Sequence, residues 1–350
     1  MTIRVLIVDD SAVMCELLAH IIQRQPDMEV VGLAGNPLIA REKIKALNPD
    51  VVTLDVEMPH MDGITFLEKL MRLRPTPVVM ISALTEANAV ATMRALELGA
   101  IDYVTKPAGV IQADISEFSR EVGDKIRFAA KLKSRVVRGD PVHAKNAGPI
   151  TFARPPLATS QCLICIGAST GGIDAIKQIL VQMPAECPPI VIVQHLPDLF
   201  TRAFAQRMNN LCTISVKEAE QNEKLQVGYA YVAPGHSHVT LTRSGARYLI
   251  QLNQDPPYNR HRPSVDVLFN SVAKFADAST VGILLTGMGQ DGAAGLLAMK
   301  RAGAFTIAQD EESCVVFGMP RSAIEKGAAA KVLPLQSMPT EIFSYLHSLA

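Results

Sequence analysis

The sequence has no excess of charge of either sign and no long hydrophobic run, and each absence excludes a class of protein. Its 34 lysines and arginines are balanced by 34 aspartates and glutamates, which argues against a nucleic-acid-binding surface and an acidic disordered tail. No stretch approaches the ~18 apolar residues of a membrane span. The apolar N-terminal residues that end at Val8 are too few for a signal peptide. We expect a protein without membrane insertion or a nucleic-acid partner.

Paired cysteines are also missing. The six cysteines are Cys15, Cys162, Cys165, Cys187, Cys212 and Cys314. Cys162 and Cys165 form a C-x-x-C, but they lie inside a predicted strand, where their side chains point to opposite faces. Buried thiols are therefore expected rather than a redox pair, which is typical of a reduced, cytoplasmic protein.

The 350 residues are enough for two domains, and the 48% apolar content is enough for their cores. The N-terminal part alternates five apolar segments with five helical patterns, the last helix running over about 112–132. The apolar segments are 4–8, 30–33, 50–55, 77–82 and 102–107. Strands without polar alternation are buried on both faces, so the pattern predicts an α/β domain with a parallel, doubly wound sheet.

Polar residues stand where these strands end: Asp9 and Asp10 after the first, Asp55 after the third, Ser82 after the fourth and Lys106 after the fifth. In an open α/β sheet this edge binds ligands. Three converging carboxylates repel one another unless a cation such as Mg²⁺ lies among them. A carboxylate beside Mg²⁺ and lysine can accept a phosphoryl group. A helix cap explains any one aspartate, but not the whole set.

These residues, with Glu57-Met58-Pro59-His60-Met61-Asp62-Gly63, resemble the receiver domain of two-component response regulators over about residues 1–125. The resemblance implies a flavodoxin-like (βα)5 fold. It implies that Asp55 is the phospho-acceptor and that Asp9, Asp10 and Asp55 hold Mg²⁺. A histidine kinase would be the phosphoryl donor.

The same resemblance implies a switch. Ser82 would move toward the phosphoryl group, Tyr103 would report the change, and Lys106 would contact the phosphate. A receiver domain by itself indicates only that the activity of another part of the protein or of a partner is regulated.

Residues 126–158 are predicted to be a linker, because they are basic and punctuated by proline and glycine. A solvated tether is the simpler interpretation. A docking segment for an acidic partner or for the receiver is the alternative.

The second half, predicted as a domain over 159–350, begins with an apolar strand, a sharp turn and an amphipathic helix. Gly167-Ala168-Ser169-Thr170-Gly171 satisfies G-x-S-x-G, the pattern of a nucleophile elbow. Glycine permits the tight turn, and the helix directs its free N–H groups toward a developing oxyanion. A glycine-rich turn that binds phosphate, or nothing, is the alternative.

Further strands predict a doubly wound, mostly parallel α/β sheet with a β-hairpin around residues 243–246. His195 and Asp291 lie at or just past the ends of two of these strands, so one sheet edge can bring them to Ser169. A serine nucleophile needs a base, and the base needs a carboxylate to fix its tautomer. The chain order Ser-His-Asp differs from that of α/β-hydrolases, so the elbow does not indicate that fold.

Other assignments compete at this stage. His236, His238 and His261 are alternative bases. The glycine-rich loop 287–292 exposes N–H groups that suit a phosphate, although it matches neither a P-loop nor a dinucleotide fingerprint. A metal site on His236-Ser237-His238 lacks an obvious third ligand.

Five motifs together resemble the chemotaxis protein-glutamate methylesterase (CheB) family across nearly the whole chain. They are Gly167-Ala168-Ser169-Thr170-Gly171-Gly172, Val193-Gln194-His195, Ala233-Pro234-Gly235-His236, His261-Arg262-Pro263-Ser264-Val265-Asp266 and Leu285-Thr286-Gly287-Met288-Gly289-Gln290-Asp291-Gly292. The resemblance implies hydrolysis of glutamate γ-methyl esters and deamidation of glutamines on chemoreceptors, activated by phosphorylation and giving chemotactic adaptation.

The family resemblance also implies roles for single residues. Ser169 would be the nucleophile, His195 the base and Asp291 the orienting acid. The Met288 N–H and the amides near Thr170 would hold the oxyanion, and no cofactor is expected in this domain. A receiver-controlled binding protein without turnover is the alternative from another class.

Overall fold

A computed structural model of the chain divides into two compact units, one ending at Ala144 and the other beginning at Lys145. The structure describes residues 2–59, 61–83, 85–107, 112–133, 136, 162–245 and 247–349. Most of the predicted linker, 126–158, lies outside these residues, and the domain boundaries given above stay predictions. The helix Gln112–Lys131 extends into the segment predicted as linker.

The first unit is a five-stranded parallel sheet flanked by helices, in the order β2-β1-β3-β4-β5, which confirms the predicted fold. Its strands are β1 Ile3–Val8, β2 Met28–Ala34, β3 Val51–Asp55, β4 Val78–Ser82 and β5 Asp102–Thr105. Its helices are α1 Ala12–Gln23, α2 Pro37–Leu47, α3 Gly63–Leu73, α4 Glu86–Glu97 and α5 Gln112–Lys131. Strands β3 and β4 are buried at every position, as their uninterrupted apolar sequences predict.

Helix capping in this unit does not account for the three aspartates at the strand ends. The side chains of Ser11, Asn36, Asp62 and Thr85 each accept a hydrogen bond from the first turn of helices α1 to α4. Capping is thus supplied by other residues.

The second unit is built on a seven-stranded parallel sheet in the order β14-β13-β12-β6-β7-β9-β8, with an antiparallel hairpin of β10 and β11. Its strands are β6 Leu163–Ala168, β7 Ile190–Gln194, β8 Ser215–Glu218, β9 Tyr229–Val232, β10 His238–Ser244, β11 Arg247–Asn253, β12 Thr280–Leu284, β13 Phe305–Gln309 and β14 Lys331–Leu333. Its helices are α6 Gly172–Leu180, α7 Asp198–Leu211, α8 Val265–Ala273, α9 Ala293–Arg301, α10 Met319–Glu325 and α11 Met338–Ser348. The predicted parallel sheet and hairpin are confirmed.

The hairpin packs against α8 through alternate residues, because a strand turns every second side chain to the same face. Val239, Leu241, Tyr248 and Ile250 are buried in one cluster with Leu268 and other residues of α8. This packing fixes the start of α8, which lies against the candidate site described below.

Gly167, at the end of β6, leaves no room for a side chain. A Cβ there would lie 2.2 Å from Cγ1 and 2.9 Å from Cγ2 of Val265. We expect Gly167→Ala to lower the free energy of unfolding by about 1–3 kcal/mol through overpacking. Urea denaturation followed by circular dichroism measures this.

The matched test is the double variant of Gly167→Ala with Val265→Ala, in which the obstructing methyl groups are gone. It should lose less stability than the two single variants together. Strict additivity would show that the contact with Val265 is not the source of the strain.

Candidate active site

The turn after β6 is fixed by hydrogen bonds from three directions. Ser169 N–H donates to the Thr286 carbonyl at 3.0 Å, and Gly172 N–H donates to the Ser169 carbonyl at 2.7 Å. The Gln194 amide nitrogen donates to the same carbonyl at 2.9 Å. Gly171 has φ +77°, in the left-handed region that glycine allows. The half-buried Ser169 is therefore carried on a rigid turn at a helix N-terminus, as the elbow pattern predicts.

His195 and Asp291 are in direct contact. Nε2 of His195 lies 2.8 Å from Oδ2 of Asp291, and the His195 side chain is 7% exposed. Nδ1 of His195 is buried and has no hydrogen-bond partner in the part of the chain that the structure describes. A neutral imidazole that donates from Nε2 to a carboxylate keeps its lone pair on Nδ1. The contact therefore leaves one histidine nitrogen able to take a proton.

The Asp291 carboxylate accepts from several donors besides His195. Ser264 Oγ lies 2.8 Å and Asn259 Nδ2 2.9 Å from Oδ1. The backbone N–H groups of Val265 and Asp266, at the start of α8, donate at 2.7 and 3.2 Å. Burial opposes ionisation, but the hydrogen bonds from His195, Asn259 and Ser264 hold the pKa of Asp291 well below its usual range. The group stays an anion facing His195.

The three competing histidines have different surroundings. His238 is 1% exposed, accepts from Ser264 N–H at Nδ1 and lies 3.2 Å from the Pro256 carbonyl at Nε2, so it supports the chain before α8. His236 is about half exposed and lies 2.8 Å from Asp198. His261 stacks on His195 with ring centroids 3.7 Å apart and planes 13° from parallel. Of the three, His261 is the one that contacts His195.

The loop that carries Met288 passes directly beside Ser169. A Cβ on Gly287 would lie 2.8 Å from the Ser169 Cβ and 3.1 Å from its nitrogen. Thr286 Oγ1 donates to the Thr170 carbonyl at 2.9 Å, and Met319 N–H donates to the Gly287 carbonyl at 2.8 Å. Thr170 is buried and Met288 is half-buried. The loop through Gly287 therefore packs directly against the turn that carries Ser169.

Sequence reasoning assigned no role to four residues of this network: Gln194, Asn259, Ser264 and Thr286. Gln194, Ser264 and Thr286 stand inside motifs that were recognised, and their place in those motifs was the available signal. Nothing in the sequence marks Asn259, whose amide bridges Asp291 and Asp266 across the fold.

A second cluster lies at the strand ends of the first unit. Asp9, Asp10 and Asp55 each have an oxygen within 4.8 Å of the others. Lys106 Nζ lies 2.9 Å from Asp9 and 2.8 Å from Asp55. Burial raises the pKa of Asp55, the hydrogen bond from Lys106 opposes that rise, and the charge of Asp9 adds to it. The resulting pKa is about 6. Asp10 and Asp55 line an open cavity of about 640 Å³. Together with the adjacent Asp9 they form a donor set that suits a hard divalent cation.

Of the three predicted switch residues, Ser82 and Tyr103 are buried. Ser82 accepts from Thr92 Oγ1 at 3.1 Å, and its carbonyl accepts from Lys106 N–H at 2.8 Å. Tyr103 is 6% exposed, with the Lys125 ammonium 4.9 Å from its ring centroid. Burial raises the pKa of Tyr103 well above its usual value.

None of the helices in the described residues combines the length and the apolar character needed to cross a membrane.

Comparisons with known proteins cover both units. Residues 164–342 match the CheB methylesterase family, and residues 5–114 match the response regulator receiver domain. A Geobacter metallireducens protein-glutamate methylesterase/protein-glutamine glutaminase 1 is 57% identical, over 99% of this chain and 96% of its own length. The protein-glutamate methylesterase/protein-glutamine glutaminase of Thiobacillus denitrificans is 56% identical, over 99% of this chain and 97% of its own length.

Among solved structures, the catalytic domain of the Thermotoga maritima CheB methylesterase is 38% identical, with a TM-score of 0.51. It covers 54% of this chain and 98% of its own chain.

Proposed function

This chain belongs to the CheB methylesterase family and carries a response regulator receiver domain, and on that basis we propose that it hydrolyses glutamate γ-methyl esters and deamidates glutamines on chemoreceptors. The assignment as a hydrolase follows the relatives, which are named protein-glutamate methylesterase/protein-glutamine glutaminase. The observation that carries the proposal for the site is the bonding of His195: one ring nitrogen lies 2.8 Å from Asp291, and the other has no hydrogen-bond partner among the described residues.

The proposed reaction begins with attack of Ser169 Oγ on the ester or amide carbonyl while His195 Nδ1 takes the hydroxyl proton. Asp291 keeps the imidazole in the tautomer with hydrogen on Nε2 and stabilises the imidazolium that forms. The backbone N–H groups of Met288 and the turn at Thr170 hold the oxyanion. His195 returns the proton to the leaving group, which departs as methanol or ammonia. A water molecule, deprotonated by His195, then cleaves the acyl-enzyme and leaves a glutamate carboxylate.

This site is tested by measuring methanol release from methylated receptor membranes, with and without a small phosphodonor. We expect release that rises when the phosphodonor is added. A protein that binds the receptors without releasing methanol under either condition would instead be the receiver-controlled binding protein.

Regulation is proposed to act through Asp55, phosphorylated by a chemotaxis histidine kinase. Asp9, Asp10 and Asp55 would hold Mg²⁺, which neutralises charge on the transferring phosphoryl oxygens when bound. The Lys106 ammonium already lies between Asp9 and Asp55 and adds a fixed positive charge there. Ser82 and Tyr103 are proposed to change position after phosphorylation.

Asp55→Asn should lose stimulation by phosphodonor and keep the basal rate, because the amide removes the nucleophilic oxygen while the second unit is untouched. The measurement is the ratio of methanol release rates with and without phosphodonor. Asp62→Asn is the matched control, since Asp62 caps α3 and asparagine caps helices equally well. Stimulation that survives in Asp55→Asn would refute the assignment of Asp55.

A further inference from the structure

A tight turn beside His195 presents an arginine to solvent. Tyr258 and His261 pair across it, with N–O distances of 3.1 and 2.9 Å, so Asn259 and Arg260 are its two central residues. Both central residues have positive φ, 50° at Asn259 and 68° at Arg260. This is the backbone of a type I′ turn, whose second central position strongly favours glycine. The sequence holds an arginine where the backbone conformation disfavours it, and such strain is concentrated at functional sites.

The residues on either side of Arg260 are tied to the candidate triad. The Asn259 amide donates to Asp291 at 2.9 Å and to Asp266 at 2.8 Å. The His261 ring stacks on His195 at 3.7 Å between centroids. Arg260 is therefore held one residue from a ring in contact with the proposed base. Its side chain is exposed, and its guanidinium has no ion-pair or hydrogen-bond partner among the residues that the structure describes.

The side chain of the neighbouring Arg262, by contrast, forms hydrogen bonds within the protein. Its Nη1 donates to the carbonyls of Gln254 and Asp255 at 3.1 and 3.3 Å, which fastens the segment that leads into the turn. One arginine thus supports the turn, while the other, at its tip, is available to a ligand.

We propose that Arg260 is a specificity residue, which binds a carboxylate of the substrate polypeptide close to the ester being hydrolysed. The inference rests on the proposed function. A γ-methyl ester is uncharged, so a charged residue of the site cannot select the ester group itself. Each turnover, however, leaves a carboxylate on the same polypeptide, and unmodified glutamates carry the same charge. Guanidinium groups pair with carboxylates through two parallel hydrogen bonds, so an arginine one residue from His261 selects esters in an acidic context.

The experiment uses the full chain with phosphodonor, methylated receptor membranes as substrate, and the variants Arg260→Gln, Arg260→Gly and Arg260→Lys. We expect Arg260→Gln and Arg260→Gly to raise KM by about 3- to 10-fold and to leave kcat within about twofold. Their kcat/KM should also fall less steeply with added salt than that of the wild type, because one charge pair is lost. Arg260→Lys should recover part of the affinity. Arg260→Gly also relieves the backbone, so a folding defect cannot explain its higher KM.

Two controls separate recognition from damage to the site. Arg301→Gln removes the same charge from an exposed position at the end of α9, and its KM should match the wild type. An uncharged fluorophosphonate should label Ser169 in Arg260→Gln at the wild-type rate, since the probe carries no carboxylate.

The inference is overturned if Arg260→Gln and Arg301→Gln have the same KM, or if Arg260→Gln slows fluorophosphonate labelling as much as it lowers kcat/KM. Failure of the proposed function is a separate result, in which the wild-type chain itself releases no methanol.

Discussion

Ser169→Ala is expected to reduce methanol release from methylated receptor membranes by roughly a thousandfold or more, since loss of a serine nucleophile leaves only the catalysis due to binding and oxyanion stabilisation. The effect should be of this size because nothing beside Ser169 replaces its hydroxyl: Thr170 is buried and its carbonyl accepts from Thr286. The stability of the variant should be close to that of the wild type, because the Ser169 contacts that fix the turn use its backbone N–H and carbonyl.

The experiment compares initial rates of methanol release and covalent labelling by a serine-directed phosphonate. Ser169→Ala should lose both, whereas Ser344→Ala, on an exposed position of α11, should keep both. Wild-type turnover in Ser169→Ala would rule out Ser169 as the nucleophile. Loss of turnover with labelling intact would mean that another serine reacts with the phosphonate.

The sequence predicted those parts of the fold whose pattern of apolar and polar residues lies within one short segment. Uninterrupted apolar segments such as β3 and β4 predict buried parallel strands, because burial on both faces excludes polar alternation. The hairpin of β10 and β11 is also local, with alternating residues on either side of a glycine turn. The edge strand β14 was not predicted. It has three residues, none of them fully buried, so its sequence shows neither the helical repeat nor the two-residue alternation of a strand.

The candidate site was predictable to the same degree. The end of a parallel strand marks a place on the sheet edge, and this rule selected Ser169, His195 and Asp291 from sequence. It could not exclude His236, His238 or His261 as the base, because contacts such as the stacking of His261 on His195 form only through tertiary packing. It also could not identify Asn259, whose bonds to Asp266 and Asp291 depend on a turn with positive φ. Sequence patterns therefore predict which strands end at the site. Side-chain hydrogen bonds between segments distant in the sequence can be identified only once the folded structure is known.

Asp291→Asn is expected to lower kcat by roughly 10³- to 10⁴-fold at neutral pH, by analogy with the aspartate-to-asparagine change in serine protease triads. The reason lies in the donors around the carboxylate. Ser264 Oγ, Asn259 Nδ2 and the Val265 N–H all donate to it, so an amide NH₂ at this position meets donors on most sides. Its most favourable acceptor is His195 Nε2. That pairing moves the imidazole hydrogen to Nδ1, the atom proposed to take the serine proton, and the base is lost.

A matched variant separates this tautomer effect from general disruption of the start of α8. Asp266 is buried, accepts from Gly295 N–H at 2.6 Å and from Asn259 at 2.8 Å, and has no hydrogen bond to His195. Asp266→Asn should therefore lower the melting temperature while keeping kcat within about tenfold of the wild type, because it alters the same network without reversing the His195 tautomer. If both variants lost kcat equally, Asp291 would act by holding the helix start in place. A selective loss in Asp291→Asn, with the folded state intact by circular dichroism, requires that its carboxylate act through the imidazole.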